Sequence, residues 1–168
     1  MRTPLRVTAT LGGRPSVSRF DKTRRSQDCS VHRMEETITR ATGSFEVVGW
    51  TPSVYDEGEV SSLSRVTLTK RYAGDAVGEG TTTLLTASAA HDSAAYVGLE
   101  RFTGRVLGRE GSFVLSHGAI AERGIGGTVT ATVVPDSGTG ELADLRGAIT
   151  IWIDGGVHHY ALEVTSTR

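Results

Sequence analysis

From Thr37 to the C-terminus the chain is a succession of short runs in which apolar and polar residues alternate, each run ended by glycine, proline or aspartate. Such alternation sends successive side chains to opposite faces of a strand. A chain built from many such runs packs as a sandwich or a barrel. The runs span residues 37–50, 60–73, 77–87, 94–104, 111–119, 126–135, 147–154 and 157–166. Breaks fall at Thr51-Pro52 with Asp56-Glu57-Gly58, at Gly74-Asp75, at His91-Asp92-Ser93 and at Gly108-Arg109-Glu110-Gly111. Further breaks fall at Gly124, from Pro135 through Gly140, and at Asp154-Gly155-Gly156. Asp154-Gly155, set between two alternating runs, is the clearest hairpin signal. Residues 141–146 accommodate one helical turn, and no stretch supports a long helix. Tight turns without a long crossover predict an all-β domain, an eight-stranded antiparallel up-and-down β-barrel.

With 168 residues the chain is long enough for one domain with a core of its own and short for two. The 21 glycines and low aromatic content favour strands and turns over a helical bundle. No apolar run approaches the roughly 20 residues of a transmembrane helix. Cys29 is the single cysteine, which excludes an intrachain disulfide and a zinc site built on several cysteines. These features predict a soluble, cytoplasmic protein without metal or other cofactor.

The net charge of −1 conceals two regions. Residues 1–33 hold eight Lys and Arg against two Asp, whereas residues 34–168 hold ten against seventeen Asp and Glu. An acidic domain has no electrostatic footprint for nucleic acid. The first 33 residues, rich in Arg and Ser and without sustained periodicity, read as a disordered tail, a translated leader or an over-long gene start. Their composition also resembles that of a transit peptide. The barrel domain is expected at 34–168, opening on Met34.

Strand parity sorts the faces. Ile149, Ile151 and Ile153 form one apolar set; His158, Tyr160, Leu162 and Val164 form a second; Val66, Leu68, Lys70 and Tyr72 form a third. Lys70 and His158 therefore stand on apolar faces. A buried ammonium needs a carboxylate or a water-filled cavity, and the candidate partners are Glu46, Glu79 and Glu100. Glu100 lies in the set Tyr96, Gly98, Glu100, Phe102, whose glycine leaves room beside it. His117 follows Phe113 and Leu115 at the same parity. The lumen candidates are Lys70, Tyr72, Tyr96, Glu100, His117 and Tyr160. The plainer alternatives are that Lys70 snorkels to solvent, that Val97 and Leu99 form the core face with Glu100 outside, and that His117 sits on the rim. His158 and His159 point to opposite faces, and no other spacing resembles a metal site.

The segment 133–147, VVPDSGTGELADLRG, reads as a strand stopped by Pro135 and a turn through Gly138 and Gly140, followed by Leu142 and Leu145 as plugs. Glu141 after Gly140 speaks against a phosphate cradle. The turn Ser137-Gly138-Thr139-Gly140 running on to Arg146-Gly147 resembles that of plant allene oxide cyclases and dirigent proteins. A fuller series resembles an uncharacterised bacterial family, known only as a domain of unknown function, with an allene oxide cyclase-like barrel. It comprises Thr42-Gly43-Ser44-Phe45 with Trp50, Lys70-Arg71-Tyr72, Gly74-Asp75 and Gly78. It continues with Tyr96-Val97-Gly98-Leu99-Glu100-Arg101, Gly104 and Gly108-Arg109-Glu110-Gly111-Ser112-Phe113. The resemblance covers residues 34–168. It implies an eight-stranded barrel with a lumen and a homo-oligomeric assembly, and it transfers no activity.

Three functional classes are compatible with this pattern. The first is a binding barrel that holds a small apolar ligand through a few polar groups. The second is a structural or interaction protein with a filled barrel, in which the outward Trp152 serves subunit packing. The third is a cyclase- or isomerase-type enzyme in which Glu100 or His117 acts as acid or base while Lys70 or Tyr96 orients an oxygen.

Overall fold

The computed structural model describes residues 36–126 and 129–167. The expectations for residues 1–33 lie outside the described residues. Eight strands follow one another: β1 (Glu36–Glu57), β2 (Ser61–Gly74), β3 (Ala76–Ala89), β4 (Ala94–Val106), β5 (Arg109–Ala121), β6 (Val129–Val133), β7 (Arg146–Asp154) and β8 (Val157–Thr167). Each pairs antiparallel with its sequence neighbour, and β1 pairs with β8, closing an up-and-down barrel. No helix among the described residues is long and apolar enough to cross a membrane.

The β7–β8 hairpin shows why the turns fall where they do. Asp154 pairs with Val157, leaving Gly155 and Gly156 as a two-residue loop with φ of 55° and 82°. Positive φ at both central residues matches the right-handed twist of the flanking strands, and glycine adopts it without steric cost.

β1 departs from expectation. The predicted break at Thr51-Pro52 is absent, and the strand runs on to Glu57 through irregularities between Val47 and Gly49 and between Val54 and Asp56. Beyond Phe45, β1 pairs only with β2, because β8 begins at Val157 and its pairing ends at His158. Pro52 therefore sits in a segment with one free edge, where a residue lacking an N–H is tolerated. The helical turn expected near 141–146 is a short 3-10 turn at Gly140–Leu142.

The interior is divided along the barrel axis. One half is packed solid by Ala41, Phe45, Tyr72, Phe102, Phe113, Leu115, Ile149, Tyr160 and Leu162, among others. Leu142 and Leu145, on the β6–β7 connection, are fully buried in this half and act as the plugs read from the sequence. A smaller cluster, Val66, Leu68 and Leu84 with Tyr96 against it, covers part of the wall of the other half. Of the isoleucine set on β7, Ile149 and Ile151 are buried but Ile153 is 64% exposed. Ile153 is next to the hairpin turn, where the strand has left the packed half.

Candidate functional site

Parity directs Lys70 and Tyr72 from β2, Tyr96 and Glu100 from β4, and His117 from β5 into the barrel. Register sets their heights. Lys70 lies opposite Gly80, Thr82 opposite Glu100, and His117 opposite Gly98. Lys70 and Glu100 thus flank β3 and meet in the space above Gly80. A Cβ at Gly80 would collide with the Glu100 carboxylate and approach Tyr72 Cε2 to 3.0 Å. Glycine is required here for close approach.

The Lys70 ammonium donates to Glu100 Oε2 at 2.5 Å, and the Tyr72 hydroxyl donates to Oε1 at 2.7 Å. Both carboxylate oxygens are therefore engaged, which is what a carboxylate only 1% exposed demands. Lys70 Nζ also lies 4.7 Å from the centre of the Phe45 ring, within cation–π range. His117 places Nε2 3.6 Å from Glu100 Oε2, and neither ring nitrogen has a hydrogen-bond partner. Tyr96 meets the imidazole edge-on at 5.6 Å. Thr82 Oγ1, buried beside Glu100, is likewise unpartnered.

Burial, then the charge and hydrogen bond of Glu100, push the Tyr72 phenol well above its ordinary range. Burial and Glu100 also raise Tyr96. Burial, reinforced by the Lys70 ammonium and partly offset by Glu100, holds His117 below its ordinary value. The layer thus joins the Lys70–Glu100 ion pair to an imidazole that burial disposes to the neutral form.

On one side of this layer the lumen is a cavity of about 860 Å³. Leu68, Leu84, Tyr96, Ala119 and Ile151 contribute to its wall, Lys70 and His117 reach it, and Trp50 and Trp152 border it. Glu100 and Tyr72 lie behind Lys70, on the side of the packed half. The layer is therefore a polar floor to an otherwise apolar chamber.

The structure brings five of the six lumen candidates to one layer, while Tyr160 meets Tyr72 edge-on at 5.5 Å from the packed side and does not line the chamber. Tyr160 belongs to the packed half, where its hydroxyl accepts from the Ala76 N–H at 2.8 Å and lies 3.2 Å from the Ala73 carbonyl oxygen. The plainer alternatives fail. Lys70 is 5% exposed and does not snorkel to the outer surface, because its ammonium pairs with Glu100 inside the barrel. Glu100 faces inward while Val97 and Leu99 are 61% and 56% exposed, so those two are not core. His117 is 8% exposed and is not a rim residue. Glu46 and Glu79 are exposed. The room beside Glu100 comes from Gly80, not from Gly98, whose missing side chain is replaced by Leu84.

Sequence reasoning missed Gly80, Thr82, Phe45 and Trp50. Phe45 carried a signal, since it sits at inward parity with Ala41 on β1. Gly80 carried none until the β2–β3 and β3–β4 registers were known. Among the described residues no group of three or more His, Cys, Asp or Glu side chains is placed to hold a metal ion.

The fold and site define a class: a small closed antiparallel barrel, plugged and packed in one half and hollow in the other, with a buried ion pair at the boundary. A family model described as "Protein of unknown function (DUF3224)" matches residues 41–164, and the chain belongs to this family. The crystal structure of a DUF3224 protein of unknown function from Shewanella oneidensis MR-1 is similar at a TM-score of 0.71 and 35% identity. That similarity covers 79% of this chain and 100% of the Shewanella chain. No curated protein matches.

Proposed function

We propose that the barrel binds a small, largely apolar molecule in the hollow half of its lumen. The observation that carries this reading is the chamber of about 860 Å³ with apolar walls and a polar floor at Lys70 and His117. Its size falls within the range of ligand pockets, which combine apolar walls with a few placed polar groups. A barrel filled by side chains accounts for the packed half alone. A cyclase or isomerase is the second reading, favoured by the convergence of Lys70, Glu100 and His117 on one point.

Association with a second copy of the chain belongs to the same proposal. Leu85, Val97, Leu99 and Ile120 are exposed on the outer face of β3, β4 and β5. The register sets Leu85 beside Val97, and Thr83 and Ser116 beside Leu99, so these rows are uncharged on β3, β4 and β5, with Arg65 of β2 at their edge beside Leu85. Contiguous apolar surface of this kind marks interaction sites, and a surface without charge suits contact with its own copy. A cytoplasmic location rests on the solitary Cys29.

The test is to purify the full chain from a bacterial host and release bound small molecules for mass determination, with Ala119→Phe as the lumen-filling control. A stoichiometric apolar compound is expected with the wild type and not with the variant. An empty wild-type protein that also excludes the uncharged dye N-phenyl-1-naphthylamine would overturn the proposal.

A further inference from the structure

The charge arrangement of the floor narrows the chemistry of the ligand, on the premise that the hollow half of the lumen is a binding chamber as proposed above. Among the described residues that line the chamber, Lys70 is the one side chain with a fixed charge, and no carboxylate lines it. That charge is already balanced, because Glu100 lies directly behind it and is bonded to it at 2.5 Å. An ammonium has three donors, and one is taken by Glu100. The other polar groups of the floor and wall are uncharged at neutral pH: the imidazole of His117 from β5 and the phenols of Tyr96 and Tyr72 from β4 and β2 at the floor, and the hydroxyl of Thr86 from β3 on the wall. From β8, His158 stacks on Phe45 at 4.9 Å and reaches the chamber wall.

We infer that the ligand carries an uncharged oxygen function, a carbonyl or hydroxyl, that accepts a hydrogen bond from the Lys70 ammonium, and that the chamber discriminates against carboxylates. A carboxylate placed here would lose its hydration and meet a floor with no net positive charge, so its burial is uncompensated. A carbonyl or hydroxyl oxygen has a far smaller desolvation cost and still satisfies a free ammonium donor. A ligand with no polar atom leaves that donor without a partner. The preferred order is therefore uncharged oxygen, then hydrocarbon, then carboxylate.

Trp50 borders the chamber and the outward Trp152 stands at its margin, so tryptophan emission is the readout of occupancy. The full-length protein is titrated at pH 7.5 with 2-naphthol, naphthalene and 2-naphthoate, which share one ring system, and the change in tryptophan emission is followed. The expected result is that 2-naphthol binds on the order of tenfold more tightly than naphthalene, and that 2-naphthoate is the weakest. Equal affinity for 2-naphthol and naphthalene would overturn this inference and leave the lumen proposal standing. Tightest binding of 2-naphthoate would overturn it in favour of an acid ligand. Failure of all three to bind, with N-phenyl-1-naphthylamine also excluded, would remove the lumen proposal itself. Glu100→Gln leaves the Lys70 charge unbalanced and is expected to shift preference toward 2-naphthoate by at least about tenfold. An unchanged order in a folded Glu100→Gln protein would also overturn the inference, and the wild-type series decides the matter if that variant does not fold.

Discussion

Glu100 touches two donors, Lys70 and Tyr72, and lies 3.6 Å from a third group, His117, that makes no hydrogen bond. Breaking a buried ion pair by deleting one partner costs about 3–5 kcal/mol, since the other charge is left uncompensated, so Lys70 and Glu100 depend on each other. His117 is in a different position. Burial and the neighbouring ammonium hold its pKa below the ordinary value of about 6.5. Between the lowered folded value and about 6.5, the unfolded chain therefore binds more protons at this residue than the native state does. Stability rises with pH across that window, is lost as the pH falls from about 6.5, and levels off once the native imidazole is also protonated. In urea unfolding at pH 7 and pH 5, His117→Phe is expected to remove this part of the acid destabilisation. An unchanged pH 7 to pH 5 difference in the variant would show that the imidazole does not contribute it.

Among the elements, β3 makes the site possible while contributing no charge to it. Its residues between Lys70 and Glu100 are Gly80, which makes space, and Thr82, which is buried beside the carboxylate. Gly80→Ala is expected to destabilise the barrel by roughly 1–3 kcal/mol, the usual cost of overpacking, because the new methyl group meets the carboxylate. Displacement of Glu100 from Lys70 and Tyr72 should weaken 2-naphthol binding in the same variant. A Gly80→Ala protein with wild-type stability and wild-type binding would show that the close approach has no importance. β1 shows the opposite relation of sequence to element. Thr51-Pro52 looks like a terminator, yet the strand continues because its second edge has already parted from β8.

At the level of the whole molecule, β1 and β8 close the sheet as far as Phe45, and the plug from the β6–β7 connection leaves the hollow half as the accessible part of the lumen. Part of the exposed apolar area lies on the outer surface in the rows around Leu85, Val97 and Leu99. Trp152 is also outward, as parity implied, but stacks on His159 at 5.6 Å. If β3, β4 and β5 pack against a second copy, Leu99→Lys introduces like charges at the contact and shifts the protein to monomer in sedimentation velocity at micromolar concentration. A wild type that is already monomeric under those conditions would exclude the association.

Period-two alternation and turn chemistry are local properties, and they were sufficient to read eight strands, the β7–β8 hairpin, the Leu142 and Leu145 plugs and the parity that Lys70 shares with Val66 and Leu68, Tyr96 with Glu100, and His117 with Phe113 and Leu115 from the chain itself. Which of Glu46, Glu79 and Glu100 meets Lys70 was not a local question. Each carboxylate lies on a different strand, and its distance from the ammonium depends on strand registers summed around the wall and on closure by β1 and β8. The same non-local pairing placed Tyr160 against Tyr72 in the packed half and away from the chamber, left Glu100 inside and Val97 and Leu99 outside, and divided the lumen into a packed half and a hollow one. Sequence determined which faces the side chains share; tertiary structure decided which of them meet, because contact across a barrel is fixed by the registers of all its strands together.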